Sequence, residues 1–303
     1  MPTTTEYFGY GFSNLGPLTT TYTAPSSCST NTDRVVFAIE SDIKVVLGYP
    51  SCDWGLKDEC YPSGSEWNAL ASATSVPPHG LYVYFSPGVA CPAGWETAGT
   101  LAHASKTSEI ATGAFSETPD WRATYTDDGP TIVRPTDMWL GILDASETLA
   151  LCCPSGYTGN SYGGCVSSLG PLSSHTYSQE CVITGPPDDY TVVSTVAGSP
   201  VTEGVISLLT RATPTETYYE DLNITAAYMS DVVVATYMPG VNLVYKQSDV
   251  EDAKKNTNDE DEKDSDGQGE DNAASIPSSR QGVVSVLAVT IGLLAGAGMI
   301  LPW

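Results

Sequence analysis

The sequence predicts a mainly β chain: a disulfide-stapled β-rich ectodomain with long irregular loops, followed by a disordered acidic stalk and a single C-terminal hydrophobic helix. Three observations carry that expectation. Eight cysteines, an even number, all fall at or before position 181. Short apolar runs are bounded by Pro, Gly and polar residues, and 17 Tyr stand against 5 Phe, a balance that suits half-buried strands. The 19 residues 283–301, "VVSVLAVTIGLLAGAGMIL", carry no charge and have the length of a membrane-crossing helix.

Composition narrows the function classes. A chain of 303 residues with 41% hydrophobic content can build a real core. Its 36 acidic and 12 basic side chains leave a net charge of -24, which excludes nucleic acid and anionic membrane surfaces as principal partners. A charged content of only 16%, with abundant Ser, Thr, Gly and Pro, reads as extracellular.

Residues 1–183 form the cysteine-containing β-rich ectodomain, with strand-length runs "RVVFAI" (34–39), "IKVVLGY" (43–49) and "LYVYFSPG" (81–88). The segment "TGPPDDY" (184–190) reads as a hinge. Residues 184–248 then make a cysteine-free β-rich subdomain or a continuation of the same sheet, through "YTVVSTVAG", "GVISLLTRA", "DVVVATYM" and "GVNLVYKQ". No segment before residue 282 shows sustained helical periodicity. Residues 249–282 are expected to be a disordered acidic linker or stalk. Within them, residues 249–271 hold 11 acidic residues and three lysines, a net of -8, too little apolar surface to fold and enough self-repulsion to stay extended. Residues 1–248 keep 25 acidic and eight basic side chains, a net of -17, so the folded part is acidic too.

Residues 283–303 are a membrane segment or an anchor signal. The small residues Asn272, Ala273 and Ala274, the eight-residue spacer "SIPSSRQG" and the apolar run follow the layout of a glycolipid-attachment signal, with Asn272 as the attachment candidate. A retained single span is the alternative. The opening residues "MPTTTEYFGYGFSNLG" contain neither a basic nor an apolar signal region. Export therefore requires a leader ahead of them. The alternative, a tail-anchored intracellular membrane protein, would place the cysteines in a reducing compartment.

Cys28, Cys52, Cys60, Cys91, Cys152, Cys153, Cys165 and Cys181 are the disulfide candidates, with the connectivity open. Adjacent Cys152 and Cys153 should bond to different partners, because a vicinal disulfide strains the peptide between them. Asn223, in Asn223-Ile224-Thr225, is a glycosylation candidate. The stretch "LCCPSGYTGNSYGGC" (151–165) includes a Gly-x-Ser-x-Gly pentad around Ser161, but a nucleophile elbow needs a strand before the serine and a helix after it. Both flanks are turn-rich, and a stapled turn is expected instead. Zinc spacings are missing, and His79, His103 and His175 are isolated, so no metal is expected. "EKDSDG" (262–267) matches the start of a calcium loop, yet its twelfth position is Ala273 rather than Glu.

Short motifs repeat at the cysteines: "CYPSG" at 60, "CPAGW" at 91 and "CCPSGY" at 152, each a tight turn that a disulfide can lock. With "LGPLTTTYTAPSSC" (15–28), "YFSPGVACPAGW" (84–95), "ETLALCCPSGYT" (147–158) and "VNLVYKQSDV" (241–250), the chain resembles a group of surface or membrane proteins of filamentous ascomycete fungi. The resemblance implies a fungal, membrane-associated ectodomain and brings no catalytic residues with it.

The expectation is a non-enzymatic, membrane-anchored cell-surface protein with a structural, adhesive or cell-wall-associated task and no cofactor. Its partners would be the membrane, through the C-terminal segment, and cell-wall polysaccharide or another surface protein. A carbohydrate-binding module using Trp54, Trp67, Trp95, Trp121 and Trp139 is the first alternative. A hydrolase using paired carboxylates, from among Asp127, Asp128, Asp144 and Glu147, is the second.

Overall fold

The computed structural model describes residues 4–26, 28, 34–52, 60–62, 81–105, 108–116, 131–184, 190–196, 199–208, 216–222 and 231–263. The described chain is mainly β, with four disulfides.

Its centre is a four-stranded antiparallel sheet of β6 (Trp95–Ser105), β7 (Ser108–Gly113), β9 (Glu147–Pro154) and β17 (Val241–Lys246), in the order β17-β9-β6-β7. Its central sequence "LALCC" is continuously apolar because the sheet is covered on both sides. Alternate residues then divide between two cores. Leu149, Leu151 and Cys153 join Leu101, Phe12, Met138 and Trp139 on one side. Ala150 and Cys152 join Val241, Leu243, Tyr245, Leu15, Phe85 and Cys91 on the other. Truncating a fully buried leucine such as Leu149 or Leu151 costs about 2 to 5 kcal/mol.

The first core is closed by a small sheet and a helix. Strands β1 (Thr4–Tyr7) and β2 (Tyr10–Asn14) form a hairpin, and β2 runs parallel to β5 (Leu81–Tyr84). Phe12 stacks on Tyr82, and Phe12, Tyr82 and Tyr84 all meet the Trp139 ring edge-on. Trp139 belongs to α1 (Pro135–Ile142), which starts at a proline whose missing N–H costs nothing there. Arg134 clasps Asp137 in its first turn through two contacts of 2.7 and 2.8 Å. At its other end His103 Nε2 donates to the Leu140 and Leu143 carbonyls, at 3.1 and 3.2 Å. Gly141 lies against the Tyr7 ring, where a Cβ would overlap it.

A second sheet packs beside the first, in the order β10-β11-β16-β3-β4. It comprises β3 (Val35–Ile39), β4 (Val46–Gly48), β10 (Thr158–Gly159), β11 (Gly164–Pro171) and β16 (Val232–Pro239). Strand β16 is again apolar on both faces: Val233 and Ala235 pack with Val36, Ala38 and Val166, while Val232 and Val234 pack with Phe37 and Leu172. Two smaller sheets pair β12 (Gln179–Thr184) with β15 (Glu216–Asp221), and β13 (Tyr190–Val196) with β14 (Ser199–Leu208) and β8 (Thr131–Ile132).

Strands from residues 184–248 complete sheets begun earlier in the chain. Strand β16 sits between β11 and β3, β17 pairs with β9, and β15 pairs with β12.

The structure corrects two expectations. Among the described residues there are two α-helices, α1 and α2 (Gln247–Lys263). The first part of the segment expected as a stalk, to Lys263, is therefore helical, and residues 264–282 lie outside the described residues. Asp249 Oδ2 accepts the Lys246 N–H at 2.7 Å, capping the first turn, and Val250 and Ala253 pack onto the second core. Two apolar contacts three residues apart anchor a helix that its charge composition conceals. Cys152 and Cys153 lie within strand β9, and the Cys153–Cys165 bridge closes the turns that follow them, so the stretch 151–165 is stapled as expected.

Cysteines 152 and 153 do take different partners: Cys91–Cys152 crosses the second core and Cys153–Cys165 the first. Cys28–Cys60 and Cys52–Cys181 complete the set. Replacing Cys153 and Cys165 together by alanine should lower the unfolding free energy by about 3 kcal/mol, the closure entropy of a loop of this length. A urea unfolding midpoint unchanged from wild type would show that this bridge contributes nothing.

Candidate functional site

The cysteine motifs at 91 and 152 build two matching turns. In each, the proline carbonyl accepts from the aromatic three residues on: Trp95 N–H to Pro92 O and Tyr157 N–H to Pro154 O, both at 3.0 Å. Gly94 at φ 78° and Gly156 at φ 85° take the position that requires a positive φ, and a Cβ at either would meet nothing within 4 Å. Backbone conformation, and not crowding, selects glycine there.

The turns lie side by side. Besides the Cys91–Cys152 bridge, Ser155 N–H donates to Gly94 O at 3.0 Å and Gly156 N–H to Glu96 Oε1 at 3.3 Å. The third motif joins them through Tyr61, whose ring centroid is 6.2 Å from that of Trp95 in an edge-on arrangement. Thr236 Oγ1 donates to the Tyr157 hydroxyl at 3.1 Å, and its neighbour Tyr237 lays its ring against Gly164. Tyr237 N–H donates to Arg34 O at 2.8 Å.

Tyr61 and Trp95 pack against the second core, Tyr157 against the first, and Tyr49 and Tyr237 against the core of the five-stranded sheet. All five aromatics and Arg34 are half-buried. Burial raises the Tyr61 phenol well above its ordinary value; Arg34 opposes this, while Tyr237 and Tyr157 add to it. Burial likewise raises Tyr237, with Tyr49 adding and Arg34 opposing. One guanidinium thus acts on two phenols in a chain that is otherwise strongly acidic.

The residues singled out by sequence are mostly structural. Ser161 lies in the loop between β10 and β11, 1% exposed, and its hydroxyl has no hydrogen-bond partner. Asn160 Oδ1 shapes that loop by accepting the Tyr162 and Gly164 N–H groups at 3.1 and 2.9 Å. A strand follows the serine, where an elbow would need a helix. Asp144 and Glu147 do come together, but around Lys246 Nζ, at 3.6 and 3.8 Å. Glu147 Oε2 also accepts the Asp144 N–H at 2.9 Å, so this is a clasp between β9 and β17.

His103 caps α1, and His175 stacks on Tyr177. No group of three His, Cys, Asp or Glu among the described residues could hold a metal. Trp139 is 1% exposed in the first core, which removes it from any surface role, whereas Trp95 meets Tyr61 edge-on. Trp54, Trp67, Trp121, His79, Asp127, Asp128, Asn223, Asn272 and the calcium-loop positions after Lys263 lie outside the described residues. Among the described residues no helix is long and apolar enough to cross a membrane; residues 283–301 lie outside them.

Sequence reasoning did not single out Tyr61, Tyr157, Tyr237 or Arg34 as a group. The signal for two of them was present in the aromatic that recurs beside each Cys-Pro turn. Tyr237 belongs to β16 and Arg34 immediately precedes β3, two elements whose pairing only the fold reveals. Comparison of the chain with protein-family models, with curated proteins and with solved structures finds no match.

Two outcomes follow from this geometry. A fluorophosphonate probe should leave Ser161 unlabelled in the native protein, and labelling that disappears in Ser161→Ala would establish an accessible nucleophile. Tyr49, Tyr61, Tyr82, Tyr84, Tyr237 and Tyr245 all have phenols raised chiefly by burial. Folding keeps these protonated beyond about pH 10, where an unfolded chain releases the protons. The stability they confer is whole below that pH and is lost as pH rises further. Phenolate absorbance at about pH 11 should therefore fall short of the full 17 tyrosines until the chain unfolds. Complete ionisation in a chain that stays folded would contradict the burial.

Proposed function

We propose that the chain is a non-enzymatic, membrane-anchored cell-surface protein with a structural, adhesive or cell-wall-associated task. The observation that carries this reading is the pairing of all eight cysteines into four disulfides. Two of the bridges join fully buried sulfurs on opposite faces of the central sheet. Such bridges form and persist in oxidising surroundings, outside the cytosol. The charge-free run 283–301 supplies the attachment, with Asn272 as the residue to which a glycolipid would be transferred. The motif resemblance to surface proteins of ascomycete fungi points the same way.

The non-enzymatic reading draws on the two catalytic candidates within the described residues. Ser161 is buried, and the Asp144 and Glu147 carboxylates are engaged by Lys246. A carbohydrate-binding role is the second reading, favoured by the half-buried ring pair of Trp95 and Tyr61.

Expression with an internal tag in a fungal host, followed by phosphatidylinositol-specific phospholipase on intact cells, tests the attachment. Release of the tagged chain into the medium is expected. A surface-accessible tag that is not released would replace the glycolipid by a retained span, and an inaccessible tag would overturn the cell-surface reading.

A further inference from the structure

We propose that the Cys52–Cys181 disulfide is a thiol–disulfide exchange site, opened by an external dithiol while the two core bridges stay closed, and that its opening frees the β12–β15 sheet. Such a site adds a chemistry to the cell-surface reading and does not depend on it.

Burial sorts the bridges. Cys91, Cys152, Cys153 and Cys165 are all 0% exposed, so a reductant reaches their sulfurs only if the cores open. Neither Cys52 nor Cys181 belongs to one of the core clusters. Cys181 is buried, but Cys52 is half-buried and presents the accessible sulfur, with the Tyr218 carbonyl 3.9 Å away. Accessible disulfides are the labile and regulatory ones.

The element this bridge holds is weakly held otherwise. Strand β15 is exposed along its whole length, and a two-stranded sheet is marginal alone. Glu180 directly faces Glu220 across the pair; Glu216 and Asp221 add two carboxylates, and neither strand contains a basic residue. Like charges opposed across strands push them apart. Cys181 N–H donates to Tyr49 O at 2.7 Å and Cys52 N–H to the Tyr219 hydroxyl at 3.3 Å, while Leu222, just past β15, packs with Phe37 and Leu172. The two hydrogen bonds converge on residues 49–52, the same short segment that the disulfide fixes.

Cys28 is half-buried as well, but the Cys28–Cys60 bridge spans only 32 residues between anchored ends. Tyr22, shortly before Cys28, accepts the Ala93 N–H at 2.7 Å, and Tyr61, next to Cys60, packs on the second core beside Trp95. Those thiols stay close after reduction and reclose. Opening Cys52–Cys181 frees a loop of 129 residues, and its thiols separate as the sheet lifts away.

The exchange needs a dithiol as the electron donor. One of its thiolates attacks Cys52 Sγ; the bridge breaks, a mixed disulfide forms on Cys52, and the Cys181 sulfur leaves as a thiolate and takes up a proton. The second thiol then attacks its own mixed sulfur, closing the donor's disulfide and leaving Cys52 as a thiol. Two electrons pass from the dithiol to the bridge.

The test incubates the full chain, purified in detergent micelles, with graded dithiothreitol, quenches with iodoacetamide and maps the labels by peptide mass spectrometry. Labels are expected first at Cys52 and Cys181, with Cys91, Cys152, Cys153 and Cys165 at least about tenfold slower. Hydrogen exchange in that two-thiol species should quicken by about tenfold or more at residues 179–184 and 216–221 and stay unchanged along β6 and β9. Cys52→Ala with Cys181→Ala should show the same exchange pattern without reductant and lose the first labelling step. Cys28→Ala with Cys60→Ala should keep that step. First labelling at Cys28 and Cys60, or at all eight cysteines together, would overturn the proposal. So would a two-thiol species whose β12 and β15 amides exchange as in the oxidised chain. Should an alanine pair fail to fold, labelling and exchange of the wild-type chain decide by themselves.

Discussion

The fold depends on the two adjacent cysteines of β9. A strand turns successive side chains to opposite faces, so Cys152 and Cys153 cannot share a partner and must staple opposite sides of one sheet. Cys152 reaches Cys91 through the second core; Cys153 reaches Cys165 through the first. The first of these bridges binds β9 to the segment that leads into β6, its neighbour on one side. The second binds β9 to β11, the start of the five-stranded sheet. Two elements are thereby fixed relative to a single strand whose five central residues are all buried.

That constraint matters in a chain so rich in Ser, Thr, Gly and Pro. Long polar connections contribute little burial, and each carries a conformational cost on ordering. Cross-links shift part of that cost to the unfolded chain, and the longest of them, Cys52–Cys181, ties strand β12 to the segment that follows β4 across 129 residues. Tyr49 O accepts the Cys181 N–H at 2.7 Å beside it, so the small β12–β15 sheet is secured by a covalent and a hydrogen-bonded contact at one point. A two-stranded sheet with β15 wholly exposed needs such an attachment.

Much of the strand content was legible because its residues announce themselves. "RVVFAI", "LYVYFSPG", "DVVVATYM" and "GVNLVYKQ" are β-branched and aromatic runs between turn residues, and β3, β5, β16 and β17 lie within or across them. The strand β6 was not legible, since "WETAGTLAHAS" alternates weakly and carries a glycine that lets β7 approach closely. Helix α1 escaped notice because eight residues span barely two turns, and its large buried side chains are Met138 and Trp139 beside the smaller Pro135 and Thr136. Of the candidate site, Trp95 and the recurring turn aromatics could be read in the sequence. Arg34 and Tyr237 could not, because a cross-strand neighbour leaves no local signature.

The proposed attachment through the C-terminus would give the arrangement around β17 a mechanical reason. Lys246 ends that strand, its ammonium held between Asp144 and Glu147 and its N–H by the Asp249 carboxylate that starts α2. Val250 then docks the helix on the second core. Tension arriving from a membrane anchor would enter at this joint and pass into β17. Each ion pair there is partly solvent-exposed and worth under about 1 kcal/mol, so these contacts cannot bear the load alone. The six-residue ladder from Val241 opposite Cys152 to Lys246 opposite Glu147 delivers it to β9. There the cross-links begin, at the residue facing the far end of β17. An anchored protein built this way would yield first at the acidic helix and last at the doubly stapled strand.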